Sequence, residues 1–592
     1  MNKTDIIKFI YSMIIVLIVN CIAYSQYYNR NWMIGYGSKE SNPIKFGKML
    51  LNFDQPPVSV LYTPKGKQFE LGFSVACISD KTGGFLFYSD NKFLVDSNHE
   101  ILPNGDSINP GKIRDIYIND GYPTSTASFF LPAPNNSNAY YFIHRALELS
   151  TNSNAPKPIF SNKLYYSKIE INKDYPYGIV TEKNKLLLEG NFVMSHLAAC
   201  KHGNGRDWWI ILEESESNKH FLLLLNPNGI FLHHEQNIGN PSTYRDWTGD
   251  CLFTHDGTKY IKSTVDAQIQ IFDFDRCTGR FFNPKQIIIP AVMGESTLMI
   301  CASSNSKLLY ASIAKYIFQF DLSQQNIVFS LDTVAIWDGF QHNNTFSTAF
   351  YQMKLAANHK IYITCKSGSP YMHVIDYPNI RGKECNVKQR AIQLPAYYAF
   401  GIPTMPNYNL GPLDGSNCDN LGLNSLPLAY WSYDKDSNDS KLIKFRDLSS
   451  INVLKWNWDF GDGSISDLQN PSHNFTYSGN YNVCLNVSNN DEQNVYCRSL
   501  EIGSSDSSAY LINLKINVYP NPIYGNLLID FADNTTDNSY YELFNQHENK
   551  VKSGTLSKRI NSIEVEDLTP GIYYLSIIID NRAVRTLKLC KI

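Results

Sequence analysis

The stretch LKWNWDFGDGS, residues 454–464, decides the fold of the region around it. Its first half alternates apolar and polar residues, which is typical of a half-buried β-strand, and Gly461-Asp462-Gly463 is a turn signal. Both glycines tolerate positive φ, and Asp462 can accept hydrogen bonds from nearby backbone amides. Trp458 and Phe460 are two residues apart, so they point to one face, which we expect to be the core. The stretch predicts a strand that ends in a structural turn.

Asp459-Phe460-Gly461 is also the sequence of the magnesium-binding turn of protein kinases. A kinase needs a glycine-rich loop, a strand lysine, an HRD catalytic loop and an APE segment as well. Each candidate for these parts lacks its essential residue: Glu40 replaces a glycine, Trp337 the lysine and Ala146 the catalytic aspartate. The sequence contains neither an APE segment nor a Walker A loop. These departures exclude a phosphotransferase.

The strand pattern continues downstream, in NPSHNFTYSGNYNVCLNVSN (470–489) and EQNVYCRSLEI (492–502). Residues 425–503 resemble a PKD domain, and the resemblance implies an immunoglobulin-like β-sandwich. The residues that match the motif are Trp458, Asp459, Phe460, Gly461, Asp462, Gly463, Asn470, Pro471, Phe475, Tyr477, Gly479 and Tyr481. Asp459 and Asp462 leave structural calcium as an alternative to the turn role, although calcium needs several oxygen ligands. We otherwise predict no cofactor, no metal site and no catalytic residue.

Two cysteines in this region are candidates for a disulfide. Cys484 and Cys497 lie on consecutive predicted strands, nearly equidistant from the centre of the turn SNNDEQN (488–494). In an antiparallel hairpin they face each other within bonding range, so we predict that they are bonded. Cys385 and Cys418 form a weaker candidate pair. Most other cysteines, such as Cys77, lie in strand-like runs and are expected to be small buried hydrophobes.

A repeated phrase occupies residues 70–376: a polar turn followed by a short aromatic or β-branched strand. Its copies begin 49–67 residues apart, near the spacing of propeller blades. The copies are SDKTGGFLFYSD (79–90), PNNSNAYYFIHR (134–145), KHGNGRDWWIIL (201–212), THDGTKYIKST (254–264), SSNSKLLYASI (303–313) and AANHKIYITCK (356–366). One such unit cannot bury both sheet faces, and a closed ring protects the strand edges.

We therefore predict an N-terminal β-propeller of about seven blades, with six or eight as alternatives. The flanks NWMIGYG (31–37) and YYAFGIPTMPNYNL (397–410) are expected to complete one blade between them. Residues 30–410 also resemble a family of secreted propeller-like proteins of Bacteroidetes, through phrases such as FDFDRCTGRF (272–281) and HVIDYPNIRGKECNVKQRAIQLP (373–395). That resemblance implies fold and compartment and no specific activity.

The two ends of the chain carry transport signals. Lys3 and Lys8 precede an apolar run from Phe9 to Ala23, which predicts a signal peptide cleaved between Ser25 and Gln26. A membrane anchor is the alternative, but the run is shorter than the ~20 apolar residues that span a bilayer. We expect no transmembrane segment in the mature chain.

The C-terminal region begins INVYPNPIYGNLLIDF (516–531) and later contains LTPGIYYLSIII (568–579). Residues 514–592 resemble the type IX secretion sorting domain of Bacteroidetes, which implies a small β-sandwich and export through the type IX machinery. The matching residues are Val518, Tyr519, Pro520, Asn521, Pro522, Gly525, Leu568, Pro570, Gly571, Ile572, Tyr573, Lys588 and Lys591. An accessory domain without a targeting role is the alternative. We expect secretion or attachment to the outer-membrane surface, by way of the periplasm.

The predicted organisation is all-β and has six segments. They are a signal peptide (1–25), the propeller (26–412), a linker (413–424), the PKD domain (425–503), a second linker (504–513) and the sorting domain (514–592). The formal net charge of −3 and pI of about 6.5 give no sign of a nucleic-acid partner.

Catalytic motifs are missing from the sequence: it has no HExxH and no GxSxG. Trp208-Trp209, Arg245-Asp246-Trp247 and Trp337-Asp338 combine aromatic rings with charge in neighbouring repeats, as a sugar-binding face does, although burial in the blade cores is the preferred interpretation. Three functions remain open. They are a binding or adhesion protein with a glycan or protein ligand on the propeller, a carbohydrate-active hydrolase or lyase, and a structural surface-layer component. We favour binding, with the PKD domain as spacer or auxiliary module.

Overall fold

The structure is a computed structural model. It describes residues 27–36, 46–53, 58–64, 74–118, 121–124, 128–150, 159–243, 246, 248–264, 267–289, 298–425, 427–436, 439–450, 453–490, 492–503, 516–519, 523, 525–531, 539–545, 549–556, 560–579 and 582–591. The chain divides into two compact units. The first comprises Met1–Ser432, Asp447–Asn457 and Leu485–Tyr496, and the second comprises Tyr433–Arg446, Trp458–Cys484 and Cys497–Ile592.

Short antiparallel strands follow one another through most of the first unit. They are β1 (Asn31–Tyr36), β2 (Gly47–Asn52), β3 (Ser59–Pro64), β4 (Ala76–Ser79), β5 (Phe85–Ser89), β6 (Leu94–Asp96), β7 (Ser128–Ala133), β8 (Asn136–Leu149), β9 (Ile159–Glu170), β10 (Ile179–Lys201), β11 (Trp208–Glu214), β12 (Lys219–Asn226), β13 (Gly229–Asn237), β14 (Cys251–Phe253), β15 (Lys259–Ser263), β16 (Gln268–Asp275), β17 (Arg280–Ile288), β18 (Met299–Ala302), β19 (Leu308–Ile313), β20 (Tyr316–Asp321), β21 (Asp332–Ile336), β22 (Gln341–His342), β23 (Phe346–Ser347), β24 (Phe350–Leu355), β25 (Ile361–Cys365), β26 (Ser369–Ile375) and β27 (Val387–Tyr398). Among the described residues of this unit, one short helix, α1 (Lys112–Ile116), and two 3₁₀ turns, Ile327–Ser330 and Gly382–Cys385, accompany them.

These strands form sheets in simple sequential order. The sheets are β1-β2-β3, β4-β5-β6, β7 to β13, β14 to β17, β18 to β21 and β24 to β27, with β22-β23 as a separate hairpin. The seven-stranded sheet contains two repeats, because β10 pairs with β9 up to Phe192 and with β11 from Phe192 onward. Counted in this way, the described sheets give seven blades, as expected from the repeat spacing.

The N-terminal blade is the neighbour of the last blade, which is how a ring of blades closes. Strand β1 packs against both β4 and β27, and the backbone amide of Ala399 donates to the carbonyl of Gly35 at 3.0 Å. Side chains from both blades share one core, including Trp32, Met49 and Tyr362.

The expected pairing of flanks within one blade is wrong in its detail. The N-terminal segment supplies all three strands of its own blade, whereas β27 belongs to the neighbouring sheet. The stretch GKMLLN (47–52) contains no aromatic or β-branched residue, so the repeated phrase did not mark β2 as a strand.

The next strands carry the PKD motif. They are β28 (Trp431–Lys435), β29 (Leu442–Asp447), β30 (Lys455–Asp459), β31 (Ile465–Ser466), β32 (Ser472–Asn474), β33 (Gly479–Ser488) and β34 (Gln493–Ile502). They form two sheets, β28-β29-β32 and β31-β30-β33-β34, as in an immunoglobulin-like sandwich. Trp458 and Phe460 are buried, as their shared face predicts.

The C-terminal strands form two further sheets. The strands are β35 (Ile516–Tyr519), β36 (Leu527–Phe531), β37 (Ser539–Asn545), β38 (Lys550–Thr555), β39 (Ile560–Ile563), β40 (Gly571–Ile579) and β41 (Arg582–Lys591). Their orders are β35-β36-β39 and β38-β37-β40-β41. Alternate residues such as Leu527, Ile529, Leu575 and Ile577 fill the core between them, because a strand presents every second side chain to one face.

Candidate functional site

The DFG sequence is a turn in the structure. The Asp459 carboxylate accepts the Gly461 amide, and the Asp462 carboxylate accepts the Ser464 amide, each at 2.9 Å. Gly461 has φ of 77°, and a Cβ on it would lie 2.7 Å from the carbonyl oxygen of Asn482, so only glycine fits here. Gly463 also has positive φ, of 90°. The motif therefore shapes the strand end.

His473 forms a hydrogen bond with the second carboxylate oxygen of Asp462. Its Nε2 lies 2.7 Å from Asp462 Oδ2, and its ring stacks on Phe460 with centroids 4.1 Å apart. Burial raises the pKa of Asp462, but the hydrogen bonds from His473 and Ser464 outweigh it and the net shift is downward. No group of three or more His, Cys, Asp or Glu among the described residues is arranged to hold a metal ion. The calcium alternative gains no support from this geometry.

Two disulfides are present among the residues that the structure describes. Cys484 bonds to Cys497 with Cα atoms 4.0 Å apart, the pair that the sequence predicts. Cys277 bonds to Cys418 across 141 residues, so the weaker candidate pair Cys385–Cys418 is wrong. Cys385 is instead a free, buried thiol packed with Tyr310 and Ile375. Spacing alone did not show this, because Cys277 lies in a blade turn far away in sequence.

The transport motifs fall only partly on described residues. The cleavage residues Ser25 and Gln26 and the sorting residues Pro520, Asn521 and Pro522 lie outside the described residues. Tyr519 ends β35, Gly525 precedes β36, and Pro570 directly precedes Gly571, the first residue of β40. Tyr573 is buried in the core of the two C-terminal sheets, and its hydroxyl donates to the carbonyl of Thr569 at 2.8 Å.

The aromatic and charged groups singled out in the sequence do not form one site. Trp208 and Trp209 are each 1% exposed and lie in blade cores, which is the preferred interpretation. Trp337 is half-buried, and its Nε1 donates to the Thr348 hydroxyl at 3.2 Å. Arg245 and Trp247 lie outside the described residues. A different set of aromatic side chains forms one continuous surface.

Seven partly exposed rings form a continuous aromatic surface on the first unit: Tyr36, Phe46, Phe340, His342, Phe346, Tyr371 and Tyr397. Five consecutive centroid distances between 5.4 and 6.1 Å link Tyr36, Phe46, Tyr397, His342, Tyr371 and Phe340 in that order. Phe346 joins through Tyr397, at 5.5 Å. Such separations are typical of interacting aromatic pairs.

The hairpin β22-β23 and the residue before it position three of these seven rings. They place Phe340, His342 and Phe346 against Tyr371 of β26 and Tyr397 of β27. Phe340 and Phe346 are 41% and 36% exposed, so part of each ring is open to solvent. A contiguous exposed apolar surface of this kind marks an interaction site more often than scattered single residues do.

Polar groups border the aromatic surface. The Arg390 guanidinium lies 4.6 Å from the Phe340 ring centroid and donates two hydrogen bonds to Asp338, at 2.9 and 2.6 Å. These bonds to Arg390 hold the pKa of Asp338 below its usual value. Asn343 Nδ2 lies 3.3 Å from the Tyr397 hydroxyl. The site therefore combines flat apolar faces with fixed donors and acceptors.

Sequence reasoning missed this surface because its rings come from four distant stretches of the chain. One local signal was available: WDGFQHNNTF (337–346) falls between two repeat phrases and is rich in aromatic residues. An insertion between regular strands is a common location for functional residues. Only the fold brings Tyr36, Phe46 and Tyr397 beside it.

Two deeply buried carboxylates of the first unit are engaged in ion pairs. Glu213 lies between Lys262 and His196, at 2.5 and 2.6 Å. Burial raises the pKa of Glu213, but Lys262 and His196 outweigh burial and the net shift is strongly downward. Asp250 receives two hydrogen bonds from Lys354, at 3.1 and 2.9 Å. Glu213 on β11 and Lys262 on β15 join neighbouring blades, whereas Asp250 beside β14 and Lys354 on β24 join blades separated by the β18–β21 sheet.

Two segments match known protein families. Residues 424–502 match the PKD domain, and residues 517–591 match the secretion system C-terminal sorting domain. The chain thus carries a PKD domain and a type IX sorting domain, and the sorting domain indicates export to the cell surface or secretion. None of the described helices has the length and apolar character needed to cross a bilayer.

Solved structures are similar to parts of the chain, whereas no curated protein matches it. The PKD1 domain from Vibrio cholerae metalloprotease PrtV is 22% identical, covers 13% of this chain and 99% of its own, and has a TM-score of 0.13. A protein from Lactobacillus plantarum is 10% identical over 64% of this chain and 99% of its own, with a TM-score of 0.39. The β-propeller domain of Myceliophthora thermophila Swd1 is 8% identical over 55% of this chain and 88% of its own, with a TM-score of 0.31.

Proposed function

We propose that this protein is an exported binding protein whose propeller holds a glycan on the aromatic surface. The observation that carries the proposal is the unbroken row of partly exposed rings from Tyr36 to Phe340. The PKD domain serves as a spacer or auxiliary module in this proposal. Secretion by the type IX route follows from the sorting domain.

The aromatic surface has the chemical groups that bind a sugar chain. A sugar ring presents C–H groups on its faces and hydroxyls at its rim, so it needs apolar faces beside hydrogen-bonding groups. Aromatic side chains supply the apolar area, and precisely placed polar groups supply orientation. Here the rings of Phe340 and Phe346 are open to solvent, and Arg390, Asp338 and Asn343 lie at the border.

The extent of the row favours an oligosaccharide or polysaccharide over a single sugar. Five ring-to-ring steps of more than 5 Å each exceed the size of one sugar ring. Affinity in such a site is spread over several rings. Loss of one or two rings then weakens binding without unfolding the blade.

The test uses the purified exported protein and a panel of insoluble polysaccharides, with retention and released soluble sugar measured together. We expect retention without product release, and a loss of retention in the double variant Phe340→Ala/Phe346→Ala. Phe231→Ala is the matched control, because Phe231 is 43% exposed on β13 and lies outside the aromatic surface.

Three outcomes contradict the proposal. If the double variant is still retained, the aromatic surface does not bind the polysaccharide. If no polysaccharide retains the wild type, the ligand is not a glycan. Release of soluble sugar by the wild type, abolished by changing one carboxylate, indicates the hydrolase or lyase alternative instead.

A further inference from the structure

A proline-rich segment follows the last blade of the first unit. It comprises residues 399–413, AFGIPTMPNYNLGPL, and we call it the strap. Pro403, Pro406 and Pro412 have no amide hydrogen, so the strap cannot form a continuous ladder of hydrogen bonds with one neighbouring strand. It is held instead by single hydrogen bonds to many parts of the first unit.

The first part of the strap lies antiparallel along β1. The Ala399 amide donates to the Gly35 carbonyl near one end of β1. The Tyr408 ring packs on Tyr28, which precedes the other end of β1, with centroids 5.3 Å apart. Between these points, the Met405 side chain packs against three separate hydrophobic cores. The strap therefore runs through a region where several blades meet.

The strap forms hydrogen bonds with six of the seven blades, at donor-to-acceptor distances of 2.6 to 3.4 Å. Its partners, in the order of the blades, are Gly35, Val75, Phe130, Gly203, His255 and Gln352. A segment that reaches blades all around a ring must cross the axis of that ring. The strap thus lies across the central channel that the blades of a propeller surround.

A covalent bond fixes the end of the strap. Cys418, just beyond the strap, is bonded to Cys277 in the turn between β16 and β17. Arg276, next to Cys277, donates from Nη2 to the Gly411 carbonyl at 2.6 Å. Both bonded cysteines are half-buried, so the disulfide borders solvent. One turn of a blade therefore holds the end of the strap.

A free thiol lies beside the strap. Cys200 on β10 is unbonded and 1% exposed, and Leu410 of the strap packs against the hydrophobic core that contains it. A Cβ on Gly257 would lie 3.0 Å from both Cys200 Sγ and Leu410 Cδ1, so these two side chains border the same space. Movement of Leu410 away from the core would therefore uncover the Cys200 thiol.

We propose that the disulfide Cys277–Cys418 is a redox-sensitive latch that keeps the strap across the channel. A dithiol breaks the S–S bond by supplying two electrons and two protons, so both cysteines become thiols while the dithiol becomes a disulfide. Single hydrogen bonds contribute little net stability each. Residues 407–418 then lift away from the blades and uncover this end of the channel. The latch does not depend on glycan binding.

The test compares the full exported chain with Cys277→Ser/Cys418→Ser by hydrogen exchange and by maleimide labelling. Amides of residues 407–418 should exchange about tenfold faster in the variant, because local opening sets their exchange rate. Labelling of Cys200 should accelerate to a similar extent. Cys385 is also free and buried, in a core that the strap does not join, so its labelling should stay slow.

Cys484→Ser/Cys497→Ser is the matched control, because it removes the disulfide of the PKD domain and leaves the latch in place. Both readouts should match those of the wild type. Should Cys277→Ser/Cys418→Ser not fold, this control variant is treated with dithiothreitol, which then reduces the latch in a chain that lacks the other described disulfide.

Three outcomes would overturn the proposal. Unchanged exchange of residues 407–418 after loss of the disulfide would show that the hydrogen bonds alone hold the strap. An equal acceleration of Cys385 labelling would show general unfolding instead of local opening. The same response in Cys484→Ser/Cys497→Ser would show that the effect does not come from the latch.

Discussion

His342 Nε2 lies 2.8 Å from the hydroxyl oxygen of Tyr397, and this contact joins the hairpin β22-β23 to β27. Asn343 approaches the same hydroxyl, at 3.3 Å. One hydroxyl group on a regular blade strand therefore holds a short, two-residue-per-strand hairpin that carries three rings of the aromatic surface.

Tyr397→Phe should loosen this hairpin while keeping the ring. The variant loses both side-chain contacts, each of which contributes about 1 kcal/mol or less. Backbone amides of residues 340–348 should then exchange hydrogen faster, and polysaccharide retention should fall several-fold. Tyr481→Phe is the control, since its hydroxyl donates to the Tyr477 carbonyl within the PKD domain. Unchanged exchange in Tyr397→Phe would show that the contacts of the Tyr397 hydroxyl do not hold the hairpin.

The two disulfides should differ in their contribution to stability. The bond Cys277–Cys418 closes a chain separation of 141 residues, whereas Cys484–Cys497 closes 13. In the chain-entropy model, a short loop gains about 3 kcal/mol and a loop beyond 100 residues about 5 kcal/mol. Denaturant unfolding should therefore shift further for Cys277→Ser/Cys418→Ser than for Cys484→Ser/Cys497→Ser. The reverse order would show that loop entropy does not dominate here.

The first unit should lose stability in mild acid because it buries neutral histidines. Burial lowers the pKa of His144 to about 3 and that of His220, His255 and His373 to about 4. In the unfolded chain these groups bind protons below about pH 6.5. Acid thus favours the unfolded state, and stability is present above pH 6.5 and lost as pH falls toward 4.

His144→Gln isolates one of these contributions. His144 contacts Asn109 and Ser167, at 2.7 and 3.0 Å, and a glutamine amide can hydrogen-bond without taking up a proton. The slope of unfolding free energy against pH should fall by about 1.4 kcal/mol per pH unit between pH 6 and 4. His233→Gln, at an exposed position, should leave the slope unchanged. An unaltered slope in His144→Gln would mean that His144 is not neutral in the folded state.

Removal of residues 514–592 should trap the protein in the periplasm, because the type IX machinery reads the sorting domain. Cell fractionation and surface proteolysis measure this. Removal of residues 425–503 is the matched control, as it deletes a sandwich of similar length and keeps the sorting domain. Surface exposure of the chain without residues 514–592 would contradict the targeting role.

The sequence alone determined whatever depends on neighbours along the chain. Gly461 and Gly463 identified the turn because positive φ is a local property. Cys484 and Cys497 could be paired because a single hairpin separates them. The repeat spacing indicated about seven blades because each blade is a continuous stretch of sequence. Strands β2 and β3 were not predicted.

The tertiary structure alone decided what depends on distant segments. Cys277 and Cys418 meet across 141 residues, and Tyr36 and Tyr397 join one aromatic surface through Phe46. The physical reason is that a ring of blades brings strands together whatever their separation in sequence. Local patterns specify each blade, and blade packing then decides which exposed rings lie side by side.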